Sequence, residues 1–174
     1  MERNEHIRGR YSCRKFKSDA VSDDLIQEIL ETARWAPSGM NNQPWRFILI
    51  KDPTIKEQIS NQTKPHYSPI IRNAPCCIAI FYDKEAGYNY VKDVQACGSS
   101  IQNILLAIHN LGLGGVWLGE ILNKRSEVER ILEVPDTYEL MAVVAFGYPA
   151  EDAKSRSRKP LSELTFLDKY GKKR

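Results

Sequence analysis

Disulfide and metal signatures are missing from this chain. Its four cysteines, Cys13, Cys76, Cys77 and Cys97, include no C-x-x-C pair, so the spacing of a zinc site or dithiol centre is not there. They read as small apolar fillers in a reducing compartment. Histidine is scarce: His6, His66 and His109 show no H-E-x-x-H spacing and leave no Ser/His/Asp set to assemble, so no bound metal is expected. Long hydrophobic runs are also lacking. The longest, "CCIAIFY" and "LMAVVAF", are too short to span a bilayer, so no membrane is expected as partner. The start, "MERNEHIRGR", is charged and has no apolar core. It does not read as a secretory signal, and the expected location is cytoplasmic. No G-x-G-x-x-G follows a strand, and there is no G-x-x-x-x-G-K-[ST] and no G-x-S-x-G elbow. Neither sign of charge dominates: the net charge is only +3. With no basic stretch interleaved with aromatics, nucleic acid is not an expected partner. Elimination leaves an enzyme whose chemistry, if any, is brought by a cofactor.

What is present fits one domain, residues 1–174. The charge is unevenly spread. Residues 1–17 hold six Lys/Arg and two Glu, net +4. Residues 150–174 hold eight Lys/Arg and four acids, again +4, which leaves the middle at −5. Either both ends are solvated basic tails, or they meet at one anionic ligand.

Helices and strands alternate irregularly along the chain. Ser22 is an N-cap with Asp23 and Asp24 in the first turn, and Val21 and Ile26 are placed as a hydrophobic staple. The apolar spacing from Leu25 to Ala33 predicts a helix that must stop near Trp35, because Pro37 disfavours the α conformation before it. "WRFILI" reads as a strand. Asp52 and Pro53 open a short helix to about Gln62, and residues 61–75 read as loop with a possible short helix. "CCIAIFY" reads as a strand buried on both faces. A long helix is expected from about Asp93 to Leu111, capped by Gly112. Its Ala96, Gly98, Ser99 and Ser100 would admit close approach by a helix or cofactor. "GGVWLGE" reads as a short strand and turn, Ser126 with Glu129 as a capping box, and "YELMAVVAFGY" as another buried strand.

Three clusters could carry chemistry. In an extended "RGRYSCRKF", Arg10, Ser12 and Arg14 fall on one side. Two guanidiniums and a hydroxyl suit a phosphate, though a solvated basic arm has the same composition. The loop "APSGMNNQPW" could bond the edge of a planar heterocycle, or be a helix-stop turn. "KSRSRKP" again places two arginines two apart, as a phosphate clamp or a plain basic tail.

Taken together, these clusters resemble the nitroreductase family of flavoproteins. Arg10-Tyr11-Ser12-Cys13-Arg14 is similar to that family's opening "R-R-S-x-R", and "APSGMNNQPWRF" to its "[SA]-P-S-x-x-N-x-Q-P-W-x-F". "DVQACGSSIQNILLAIHNLGLGGVWLG" resembles its long helix and the strand after it. "FGYPAEDAKSRSRKPLSEL" resembles its closing segment. The order and distances match over nearly the whole chain.

The resemblance implies an α+β fold: a mixed, mainly antiparallel central sheet flanked by helices, in an intertwined homodimer. Non-covalent FMN would lie at the subunit interface. Arg10 and Ser12 would hold its phosphate from one end of the chain, Arg156 and Arg158 from the other. Tyr11 replaces the usual basic residue and could donate through its hydroxyl or its backbone N–H. Arg14 would lie near N1 and O2, where a cation stabilises the reduced ring. Pro37, Ser38, Gly39 and Asn41 would line the flavin from the partner subunit, with Gln43 supporting the loop or reaching the ring edge. Leu118 and Gly119 would pack against the ring, and Trp35 and Trp45 would anchor the loop ends. Residues 150–174 would form a C-terminal extension contacting the phosphate and the partner. The implied reaction passes hydride from NAD(P)H through FMN N5 to a nitroaromatic, quinone or similar small-molecule acceptor, with ping-pong kinetics and no catalytic side chain. A flavin sensor or carrier without turnover, or a reductive dehalogenase, is the alternative. The short lid, "DKEAGYNYVK" and residues 61–73, leaves the acceptor class open.

Overall fold

The computed structural model describes residues 4–153 and 157–173. Arg156, expected at a phosphate, lies outside them. A short helix α1 (Glu5–Arg8) precedes an extended arm, and α2 (Asp23–Arg34) follows. Strand β1 (Trp45–Ile50) leads to α3 (Pro53–Ser60) and α4 (Ser68–Asn73). Next come β2 (Cys76–Asp83), α5 (Tyr90–Asn110) and β3 (Gly114–Leu118). The chain continues through α6 (Arg125–Ile131), β4 (Tyr138–Gly147) and α7 (Leu161–Leu164). The four strands form one sheet in the order β1-β2-β4-β3, and every pairing is antiparallel.

The sheet separates two apolar layers. On one face, α2 and α5 cover Cys76, Ile78, Ile80, Val144 and Phe146. On the other, α3, α4 and α6 cover Cys77, Ala79, Phe81, Val143 and Ala145. This is the period-two division of side chains across a pleated sheet. Strand β2 is buried at every position, so its unbroken apolar run belongs to a strand covered on both faces. All four cysteines are free and buried, as small apolar fillers should be.

Helix ends follow the chemistry of the sequence. The Ser22 hydroxyl accepts from Leu25 N–H, and the Asp52 carboxylate accepts from both Thr54 and Ile55 N–H. Val21 and Ile26 share one cluster. Gly112, at φ +74°, supplies the left-handed residue that ends α5. Three expectations need correction. Helix α5 starts at Tyr90 rather than Asp93, because the Asn89 side chain caps Lys92 N–H. Helix α3 stops at Ser60, short of Gln62. Ser126 and Glu129 form no capping box: α6 has no side-chain cap, and the Glu129 carboxylate accepts from Leu140 N–H on β4 instead. A tertiary bond to the edge of β4 competed for that carboxylate and won.

The small-sided end of α5 is used by another helix. The buried Ser100 hydroxyl donates to Ala33 O of α2, and Asn103 Nδ2 donates to Thr32 O. No helix among the described residues is long and apolar enough to cross a membrane.

Candidate functional site

The arm after α1 is held in an extended state by three separate contacts. Ser12 bridges Gly115 in parallel, and Cys13 N–H donates to Gly115 O. Lys17 N–H donates to Tyr148 O, and Ala150 N–H donates to Lys15 O. The arm therefore lies between β3 and the chain leaving β4. Alternation buries Cys13 completely and leaves Ser12 and Arg14 partly exposed. Gly114 makes this approach possible: a Cβ there would stand 2.6 Å from Cys13 Cβ and 2.7 Å from its Sγ.

A cleft of about 650 Å³ opens between the arm and α4. Tyr11, Ser12 and Arg14 line it, so the structure does bring these expected residues together. His66, Pro69, Ile70 and Asn73 line its far side. These four fall in the segment expected to be loop with a possible short helix and to serve as part of a short lid; the helix is α4. Glu151 and Asp152 close one end. The Tyr11 hydroxyl donates to Glu151 O at 3.2 Å, and Arg14 N–H donates to Glu151 Oε1 at 2.8 Å. Burial, with the Cys13 and Glu151 groups beside it, pushes the Tyr11 hydroxyl up, so it stays a neutral donor. The Arg14 guanidinium donates to Ser12 O at 3.0 Å.

Leu118 and Gly119 close β3 at its other end. Leu118 is buried, whereas a Cβ on Gly119 would meet nothing within 4 Å. Gly119 thus has open space in which a flat group could lie against backbone. Gly115 and Gly119 are four residues apart on an extended strand, about 13 Å. Just beyond, Glu120 accepts from Lys64 N–H, tying the turn after β3 to the loop before α4.

The polar loop between α2 and β1 is unusual in its backbone. Met40, Asn41 and Gln43 have φ of +55°, +55° and +47°, a left-handed conformation that costs non-glycine residues energy. The turn holds itself in part: Asn41 N–H donates to Ser38 O, Asn42 N–H to Gly39 O, and Gln43 N–H to the Ser38 hydroxyl at 3.0 Å. Gln43 Nε2 donates to Asn41 O, a further bond inside the loop. A side chain at Gly39 would collide with the Tyr88 hydroxyl.

Trp45 is buried and fixes one loop end as expected. Trp35 is not an anchor within its own protomer: it is 73% exposed and its indole N–H donates only to the neighbouring Glu31. Sequence reading missed Asn42 and Asp93. Asn42 looked like one more polar loop residue, and Asp93 like a first-turn acid at a helix start. In the structure the Asn42 side chain turns inward onto the Asp93 carboxylate.

Arg158 is exposed, with its guanidinium donating to Ser157 O. His109 packs beneath Gly9 at the start of the arm; burial, with Arg10 and His6 beside it, holds its imidazole below the usual value. Among the described residues no group of His, Cys, Asp and Glu is placed to hold a metal ion.

The architecture has known relatives. The nitroreductase family model matches residues 7–66 and 56–148. A protein of Methanothermobacter thermautotrophicus, by name a candidate NADH dehydrogenase/NAD(P)H nitroreductase, is 35% identical over 158 residues, covering 90% of this chain and 82% of that protein. Iodotyrosine deiodinase of Nematostella vectensis is 28% identical over 194 residues, covering 92% of this chain and 73% of its own. Among solved structures, a candidate nitroreductase from Desulfovibrio desulfuricans in complex with FMN superposes with a TM-score of 0.89 at 43% identity, covering 95% of this chain and 96% of that one. With its antiparallel sheet, flanking helices and matched sequence along most of its length, the chain belongs to the nitroreductase family.

Proposed function

We propose that this protein is an FMN-dependent oxidoreductase that takes electrons from NAD(P)H and delivers them to an electron-poor organic acceptor, such as a nitroaromatic or a quinone. The observation carrying the reading is the cleft beside the arm, lined by Tyr11, Ser12 and Arg14, in a chain 43% identical to a relative solved with FMN. Its donor set suits that group. Arg14 and the Ser12 hydroxyl line the cleft and offer charge-assisted bonds to a phosphate or to the anionic edge of a reduced ring; Arg10 and Arg158 are outside its lining and would join the clamp by their place in the sequence. Gly119 leaves room for the ring against backbone. Arg156 would join the clamp by its place in the sequence. When bound, FMN would supply the two-electron redox chemistry between the two substrates. The protein's part is to hold, orient and desolvate. One cleft serving donor and acceptor in turn gives ping-pong kinetics.

The second wall of the site comes from another copy of the chain. Loop Ser38–Gln43 is bonded to the first turns of α5 through Asp93, whereas the arm begins against His109 in its last turn. Sixteen residues of helix separate these points, about 24 Å. Strands β1 and β3 also lie at opposite edges of the sheet. Pro37, Ser38, Gly39 and Asn41 would therefore face the flavin of the partner. The C-terminal segment supports a dimer. Leu161, Leu164, Phe166, Leu167 and Tyr170 are 43% to 93% exposed on their own protomer, the kind of apolar surface that a partner covers.

The test is spectroscopic. Purified protein should be yellow and should bleach within seconds of anaerobic NADH or NADPH addition. A bound flavin that stays oxidised would instead point to a sensor or carrier. Replacing Arg10 and Arg158 together by Ala should give folded, colourless protein, and full FMN retention would overturn the phosphate assignment. Sedimentation should return a dimer; a monomer that holds FMN tightly would contradict the shared site. Similarity to the Nematostella deiodinase favours one second reading, reductive dehalogenation. Release of halide from a halophenol by the reduced protein would support it.

A further inference from the structure

Three of the residues between Ser38 and Gln43 sit in the left-handed region. Such positions are costly for non-glycine residues and persist only where the surroundings over-determine them. The turn's own four hydrogen bonds do not fix it to the rest of the protein. Arg46 Nη1 of β1 donates to Gln43 O at 3.1 Å, and the one side chain that turns inward to hold the turn is Asn42.

Asn42 Nδ2 donates to Asp93 Oδ1 at 2.8 Å and to Ala86 O at 3.1 Å. Both neighbours accept only, which sets the amide orientation. Its Oδ1 is buried and has no hydrogen-bond partner among the described residues, so the amide is held here against a desolvation cost. Asp93 is fully buried, and its other oxygen accepts from Tyr88 N–H at 2.9 Å and Asn89 N–H at 2.8 Å. One carboxylate therefore joins three segments: the polar turn, the lid "DKEAGYN" and the first turn of α5. The lid's Tyr88 in turn stands over Gly39.

We infer that Asp93 is a positioning residue for the turn Ser38–Gln43, acting through Asn42, so that a buried carboxylate in one subunit sets the wall of the flavin site in the other. This rests on the reading of the turn as a flavin contact. Asp93 touches neither flavin nor substrate. Its ionised form is what the geometry requires, since three N–H groups converge on it. Asp93→Asn must turn an NH2 toward at least one of those donors.

The experiment separates the clamp from the flavin reading. Hydrogen exchange is followed on FMN-free wild-type protein and on Asn42→Ala, Asp93→Asn and the double variant. The amides of Asn41, Asn42 and Gln43 should exchange about tenfold faster or more in each variant, the loss of one hydrogen bond to a charged group. FMN affinity, read by fluorescence quenching, should weaken by a similar factor, and the visible circular dichroism of the bound flavin should change. The double variant should be no worse than the poorer single, because both changes remove one linkage. Unchanged exchange in Asn42→Ala overturns the clamp. Faster exchange with wild-type affinity and dichroism overturns the positioning role while leaving the flavin reading intact. Fully additive effects show that the two side chains act separately, which also overturns it. Wild-type protein that takes up no FMN overturns the flavin reading, and the exchange data still report whether the clamp exists. Asn42 is only partly buried, so Asn42→Ala remains a usable test should Asp93→Asn fail to fold.

Discussion

Gly114→Ala should loosen the arm after α1 from the body of the protein. Gly114 opens β3, pairs with Gly147, and lies under fully buried Cys13. An added Cβ would sit 2.6 Å from Cys13 Cβ, 2.7 Å from its Sγ and 3.3 Å from Pro149 Cβ. Two of these contacts are more than half an ångström inside ordinary van der Waals separation, and none is with the far end of a flexible side chain. Either the arm shifts away from β3, or β3 shifts within the sheet. Overpacking of this kind costs about 1–3 kcal/mol. In a chain of this length each kcal/mol moves the melting temperature by about 2–4 °C, so a drop of about 2–12 °C is expected. FMN affinity should fall with it, because Ser12 and Arg14 travel with Cys13. Cys13→Gly in the same background removes the colliding atoms and should restore part of both losses. The assay is thermal unfolding with parallel FMN titration. A Gly114→Ala protein with wild-type melting temperature and affinity would refute the claim that close packing at Gly114 holds the arm.

Acid should act on Asp93. Burial pushes its carboxyl up, but the hydrogen bonds from Asn42 and from the Asn89 and Tyr88 amides outweigh that and hold it below the usual carboxylate range. A depressed folded value contributes stability that is complete above the unfolded value, about 3.9, and is lost as pH falls through the folded one. Wild-type protein should therefore lose stability below about pH 4, and Asp93→Asn, less stable at neutral pH, should lose less over the same interval in urea titrations. Cysteine reagents should find little to attack: burial pushes the Cys77 and Cys97 thiols up to about 12. Those two thiols should be silent at pH 8 in the native state and should react in denaturant; rapid native labelling of either would contradict the burial. Asp52→Ala should remove the cap of α3 and its two amide bonds and cost about 1 kcal/mol, read as a shift in urea midpoint with unchanged flavin binding.

Much of this fold follows from local chemistry. Short apolar runs of strand length mark β1, β2 and β4, and side-chain caps fix the starts of α2 and α3, because those signals act within a few residues. Where a signal had a distant competitor it failed. Glu129 left its expected cap for β4, and Asp93, a plain first-turn acid by sequence, became a buried junction. Trp35 and Trp45 frame the same loop and look alike in sequence, yet one is exposed and the other buried. The chemical types of the candidate site were legible in the sequence: arginines and a serine that would suit an anion, amides and small residues that would suit a ring. Sequence marked residues 61–73 as part of a short lid, but not which of them face the cleft, because the His66–Asn73 wall takes shape only once α4 packs beside the arm. Nor could it give the separation of the two half-sites along α5, which turns a list of ligands into an argument for two subunits. Composition and periodicity record what each segment can bury or bond. Which groups meet is decided by packing, where buried donors and acceptors must find partners across the fold.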